Sequence, residues 1–189
     1  MTIFRWIIAA LWLVFLVYWA MSALGAKRNV GTTAWWRQGQ LLGLAVLVVV
    51  AFRLAGIGHA LRAAQAYQES SVLLGAIGSM LVLTGIGLAI FARVYLGRNW
   101  GMPMSRKEEP ELITGGPYKL VRHPIYTGVI LALLGTAIAE NIFGLLPLIL
   151  FTAYFIYGAR REEALMCEQF PGQYPDYMRR TKMILPFVL

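Results

Sequence analysis

Five apolar runs alternate with polar segments along the chain. Residues 3–24 are apolar, with Trp6, Trp12, Tyr18 and Trp19 among them, and residues 41–57 form a second run with Arg53 near its end. The third run, 72–94, is punctuated by Gly75, Gly78, Gly85 and Gly87; the last two, 125–139 and 142–159, are separated only by Glu140 and Asn141. A helix crossing the hydrocarbon core needs about 20 apolar residues. The pattern therefore predicts an all-α fold: an integral membrane bundle of five transmembrane helices. The short break before 142 forces the last two into a helical hairpin. A re-entrant fourth run is the alternative, and it would move the tail to the other side. The glycines of the third run predict close helix packing. Arg53 reads as snorkelling to the interface. The first run is not read as a secretory signal, because it is too long and Lys27 and Arg28 follow it rather than precede it.

Composition supports a membrane setting. Hydrophobic residues make up 59% of the 189 positions and charged residues 14%, against about 25% charge in an average soluble domain. The expected organisation is one domain over 1–189. Three N-terminal spans occupy 1–95, and a polar connection, the hairpin and a C-terminal tail occupy 96–189, with no room for a separate soluble domain. The lone Cys167 excludes an internal disulfide and a multi-cysteine metal site. The net charge of +8 raises nucleic acid as a partner, but in this class basic residues mark cytoplasmic loops. Five spans leave only Arg5, Arg53 and Arg62 of the 17 Lys and Arg on one side. The other side, with the long connection and the tail, is then cytoplasmic.

The polar chemistry is gathered in two segments, 98–126 and 160–182. The first contains Trp100, Pro103, Pro110 and Pro117, which rule out one continuous helix. The hairpin carries the chain out and back, so both segments face each other at one end of the bundle and could line one pocket. On spacing alone an interfacial-anchor reading stands equally: His123 and Pro124 ending a loop, Glu162 and Glu163 in water. No His or Cys cluster has metal-ligand spacing, so no metal is expected, and there is no phosphate loop or Rossmann glycine signature.

The ordered set LGRNW, LITGGPYKLVRHPIYTG and RREEALMCEQFPGQYPDYMRRTKMILPF, covering about 96–187, resembles the isoprenylcysteine carboxyl methyltransferase family. That family lies within a wider group of membrane methyltransferases that includes phospholipid methyltransferases. The resemblance implies S-adenosylmethionine as cofactor in a cytoplasmic pocket. Gly116, Tyr118, Val121, Arg122, His123, Pro124 and Tyr126 would form one wall, with Glu162 and Glu163 as the other. Gly115 and Gly116 would allow close backbone approach. Either Glu suits the ribose or ammonium of the cofactor, and Arg122 and His123 offer donors to its carboxylate.

The implied reaction is methyl transfer to the carboxylate of a prenylated cysteine or similar lipid-linked acid. A carboxylate with a pKa near 3.5 is already ionised at neutral pH and needs no general base. The protein has to align the reacting atoms in a dry site. Arg180, in the pattern Y-x-x-Y-x-x-R, is the expected clamp on the acceptor carboxylate, with Arg161 as competitor. Glu163 and Tyr177 are further catalytic candidates, and Tyr174 and Trp100 further acceptor contacts. Pro171 stands where the family has Gly, with Gly172 one step later, and Pro175 lies between the tyrosines. The cofactor half is equally compatible with a phospholipid amine or a small thiol as acceptor; a non-enzymatic membrane protein is the remaining alternative.

Overall fold

The computed structural model describes residues 3–23, 29–30, 71–97, 106–107, 111–140 and 144–185. The second apolar run, 41–57, and Trp100 lie outside them. Five helices stand among the described residues: α1 (Ile3–Ala23), α2 (Val72–Leu96), α3 (Pro124–Glu140), α4 (Leu145–Gln169) and α5 (Tyr174–Arg180). A 3-10 turn at Gly116–Lys119 precedes α3. The all-α expectation gains one addition, a two-residue antiparallel ladder of β1 (Asn29–Val30) and β2 (Arg106–Lys107). It ties the segment after α1 to the long polar connection.

α1 and α2 are long and apolar enough to cross a membrane, while α3 is a shorter apolar helix. Ser71 caps α2, its hydroxyl accepting from the Leu74 amide at 3.3 Å. Gly97 ends α2 at φ +57, a conformation that favours glycine. Arg93 ties the ends of two helices together, donating to the Gly97 oxygen at 2.7 Å and to the Ser22 oxygen, at the end of α1, at 2.6 Å. At the other end Phe4 of α1 packs on Gly75 of α2, so α1 and α2 run parallel.

α3 lies antiparallel against α2, and the glycines set the spacing. A Cβ on Gly78 would lie 2.5 Å from the Gly135 oxygen, and one on Gly128 would lie 2.5 Å from the Gly85 oxygen. The two backbones thus touch through small residues, with Ala89 and Ala132 fully buried beside them. Trp12 of α1 fastens this pair, donating to the Thr136 hydroxyl at 3.0 Å.

The hairpin forms as the sequence predicts, but its second arm is longer than the apolar run. α4 continues without a break through the polar residues 160–169, which the hydropathy pattern assigned to the tail. The stretch Arg-Arg-Glu-Glu-Ala-Leu-Met consists of good helix formers, so the helix persists after the apolar stretch ends. Consequently Glu162 and Glu163 stand on a rigid element.

Candidate cofactor site

The loop that enters α3 is held from three directions. Backbone bonds run from Arg122 N to the Lys182 oxygen at 2.8 Å and from His123 N to the Met183 oxygen at 3.0 Å. Val121 forms a parallel bridge with Lys182. The Thr127 hydroxyl donates to the Ile184 oxygen at 2.7 Å. The tail thus lies alongside residues 121–127 like an added strand, and Pro124, fully buried, starts α3 where a missing N–H costs nothing.

From this loop two basic side chains reach the acidic pair on α4. Arg122 Nε donates to Glu163 Oε1 at 2.6 Å, both side chains being 8% exposed. The same guanidinium donates to the Met178 oxygen at 3.2 Å and to the Thr181 oxygen. His123 stands between the carboxylates, Nδ1 3.4 Å from Glu162 Oε2 and Nε2 3.3 Å from Glu163 Oε1. Burial lowers the imidazole pKa, but the hydrogen bonds and charges of Glu162 and Glu163 outweigh it and hold the value above the ordinary 6.5. Burial likewise raises Glu163, yet His123 and Arg122 bring it below the ordinary 4.5. Arg122, His123, Glu162 and Glu163 thus form one linked group.

The two carboxylates are not equivalent. Glu163 Oε1 accepts from both Arg122 and His123, deep in the protein. Glu162 accepts from the Tyr126 hydroxyl at 2.7 Å and keeps 26% of its side chain exposed. The buried Tyr126 ring stacks with His123 at 5.3 Å and with Phe155 at 4.6 Å. Its ring therefore spaces the cluster rather than offering a platform for adenine.

Tyr118 and Tyr177 support the loop from below. Tyr177 donates to the Tyr118 oxygen at 2.6 Å, and Tyr118 donates to the Ala92 oxygen at 3.4 Å. Burial pushes the Tyr177 hydroxyl up to about 12 and raises Tyr118 and Tyr174 as well. Burial thus favours the neutral form of all three. Gly116 adopts φ +55, and the space a side chain would take, like that at Gly115, is filled by the Tyr95 ring. The close approach these glycines permit is therefore to Tyr95.

The structure thus brings Val121, Arg122, His123, Pro124, Tyr126, Glu162 and Glu163 together, with Gly116, Tyr118, Tyr174 and Tyr177 in the layer beneath. Arg180 stands apart and exposed, in a groove of about 450 Å³ that Thr114, Lys119, Gln173 and Tyr177 also line. Thr181 links the two places: it lines the groove, and its oxygen accepts from Arg122. Arg161 is exposed on α4. Sequence reasoning missed Thr127, Thr181 and Phe155. A polar Thr four residues after His123 was a readable signal, whereas a Phe in an apolar run carries none. Among the described residues no group of His, Cys, Asp and Glu could hold a metal ion.

The family model for phospholipid methyltransferase matches residues 71–173, from α2 to the turn after α4. The nickel-cobalt-cadmium resistance protein NccN of Alcaligenes xylosoxydans xylosoxydans is 29% identical over 107 residues, 55% of this chain and 50% of its own length. The protein-S-isoprenylcysteine O-methyltransferase B of Arabidopsis thaliana is 27% identical over 115 residues, 59% of this chain and 58% of its own. Methanethiol S-methyltransferase 2 of Bradyrhizobium diazoefficiens is 38% identical over 69 residues, 36% of this chain and 26% of its own. The chain spans about half the length of the first curated relatives it matches.

Proposed function

Since the chain belongs to the phospholipid methyltransferase family, we propose that it is a multi-pass membrane methyltransferase that uses S-adenosylmethionine to esterify the carboxylate of a prenylated cysteine or similar lipid-linked acid. The observation that carries this reading is Glu162: a carboxylate fixed by Tyr126 and His123 yet one quarter exposed, where the apolar part of α4 gives way to its polar end. Such a group accepts hydrogen bonds from an ammonium or from ribose hydroxyls. The residues fit the cofactor in this respect, because Glu162 brings to the polar end of α4 a carboxylate that keeps 26% of its side chain exposed.

Bound S-adenosylmethionine supplies a methyl carbon on a sulfonium sulfur, and its transfer forms a carbon–oxygen bond as the carbon–sulfur bond breaks. The protein's part is positional. Glu162, positioned by His123 and Tyr126, holds the cofactor's polar end, and the Arg122–Glu163 pair fixes the loop and the tail around it. Arg180, with Lys119 beside it in the groove, is the proposed cation for the acceptor's carboxylate. The parallel course of α1 and α2 and the antiparallel course of α2 and α3 support five alternating crossings. The β1–β2 ladder supports placing the first loop and the long connection on one side, which their Lys and Arg residues mark as cytoplasmic.

A thiol acceptor is the second reading, favoured by the identity of 38% to a methanethiol S-methyltransferase. The test is binding of S-adenosylmethionine to the detergent-solubilised chain and to Glu162→Gln, followed by labelled methyl transfer to a farnesylated cysteine derivative, methanethiol and phosphatidylethanolamine vesicles. Loss of a charge-assisted bond of about 1.5–3 kcal/mol weakens binding by roughly 10- to 100-fold. Base-labile label on the farnesylated compound supports the carboxyl reading. Transfer only to the thiol or to the lipid amine replaces it, and absence of cofactor binding removes the methyltransferase reading.

A further inference from the structure

α4 carries one polar group that the reading above does not use. The hydroxyl oxygen of Tyr154 is buried and, among the described residues, has no hydrogen-bond partner. A buried hydroxyl in that state forfeits the bonds water would give it, and such groups are uncommon enough to ask for a reason.

Its position supplies one. Tyr154, Gly158 and Glu162 recur at four-residue steps and share one face of α4. Gly158 is buried and brings no side chain between the two polar residues. The eight steps from 154 to 162 span roughly 12 Å of helix, with Tyr154 in the apolar part and Glu162 in the polar part. An aromatic wall joins them: the Tyr154 ring lies 5.7 Å from Phe155, which stacks on Tyr126, whose hydroxyl holds Glu162. A single neutral hydroxyl among apolar neighbours suits an apolar ligand that needs one polar contact to fix its orientation. It suits a multiply charged cofactor poorly.

We infer that Tyr154 is an acceptor-binding residue, its hydroxyl hydrogen-bonding the polar group of a lipid-like methyl acceptor that approaches the Glu162 cluster from the apolar side. The inference rests on the methyltransferase reading and adds to it a direction of approach. Tyr154 holds the acceptor from the apolar side, and Arg180 from the polar side. No covalent bond changes at Tyr154.

The test compares the full chain in lipid nanodiscs with Tyr154→Phe and with Tyr157→Phe, a control at an exposed position on the same helix. Three quantities are measured: the S-adenosylmethionine Kd, the melting temperature, and KM and kcat for whichever of a farnesylated cysteine derivative, dodecanethiol and phosphatidylethanolamine the unaltered chain methylates. Tyr154→Phe is expected to raise the acceptor KM or lower kcat/KM by roughly 5- to 30-fold, the worth of one lost hydrogen bond. The cofactor Kd should stay within about twofold and melting should not fall, since no intramolecular bond is removed. Tyr157→Phe should match the unaltered chain. An unchanged kcat/KM, as when a trapped water occupies the hydroxyl, overturns the Tyr154 inference alone, and so does a lowered melting temperature with unchanged kinetics. An unaltered chain that binds no S-adenosylmethionine and methylates none of the three acceptors overturns the methyltransferase reading and this inference with it.

Discussion

Arg122 Nε donates to Glu163 Oε1 at 2.6 Å across 41 positions of sequence, and the same guanidinium also donates to the main-chain oxygens of Met178 and Thr181. One side chain therefore joins the loop before α3, the polar end of α4 and the tail. The arrangement gives the Arg-His pair a division of labour. Arg122 is committed to holding three segments together and His123 is buried between the carboxylates, while Glu162 keeps 26% of its side chain exposed at the edge of the group.

The first prediction separates these parts by stability. Glu163→Gln leaves the buried Arg122 without its counter-charge, and uncompensated charges of this kind cost about 3–5 kcal/mol. Glu162→Gln, at a side chain already one quarter exposed, should cost about 1 kcal/mol or less, as partly solvated pairs do. Denaturation in detergent, followed by tail-specific proteolysis, checks both. A Glu163→Gln protein as stable as the unaltered one would show that the tail is not pinned through this pair.

How much of this was readable beforehand differs from residue to residue. The motif residues and the hairpin were legible, because Arg-His-Pro at a helix start and Glu-Glu after an apolar run are local signals. The helical course of 160–169 was legible in propensity but masked by hydropathy, which marks where the membrane ends rather than where the helix ends. That Arg122 bonds the Met178 and Thr181 carbonyls was not legible at all: main-chain acceptors carry no sequence signature, and the contact spans more than 50 positions. The stacking that buries Tyr126 was equally hidden, since His123 is local but Phe155 comes from the facing helix.

The second prediction concerns pH. The His123 pKa is raised above 6.5, so its contribution to stability is complete below 6.5 and is lost as pH rises through the folded value. Glu163 is depressed below 4.5, so its contribution is complete above 4.5 and is lost as pH falls through its folded value. Melting temperature should therefore form a plateau between these ordinary values and decline on the alkaline side as His123 deprotonates. In His123→Gln the alkaline decline should be absent and the acid decline retained. An alkaline decline unchanged in that variant would remove His123 as its source.

The third prediction tests the α2–α3 contact. A Cβ at Gly128 would lie 2.5 Å from the Gly85 oxygen and 2.7 Å from the Ala89 amide, whereas one at Gly87 meets nothing within 4 Å among the described residues. Gly128→Ala should thus separate the backbones and destabilise by about 1–3 kcal/mol. Gly87→Ala, at an open helical position, should be neutral or stabilising by about 0.5–1 kcal/mol through the lost freedom of the unfolded chain. Equal melting temperatures for the two variants would mean that the helices do not pack through these glycines.

The last prediction uses Arg180 to decide the acceptor's chemistry. It is exposed, its Nε bonding the Asp176 main-chain oxygen at 3.3 Å, and it shares the groove with Lys119. Because no Arg180 side-chain bond joins it to the His123–Glu162–Glu163 cluster in the described structure, Arg180→Ala should leave melting and S-adenosylmethionine affinity nearly unchanged. If Arg180 holds the acceptor carboxylate, kcat/KM should still fall by about 10- to 100-fold, since the interaction exists only once the acceptor is bound. Arg180→Lys should restore part of it, because a point charge replaces attraction but not the two-pronged hold on a carboxylate. A thiol has no carboxylate for the fork to grip, so with methanethiol the same variants should behave like the unaltered chain. Equal losses for both acceptors would assign Arg180 to shaping the groove rather than to the carboxylate.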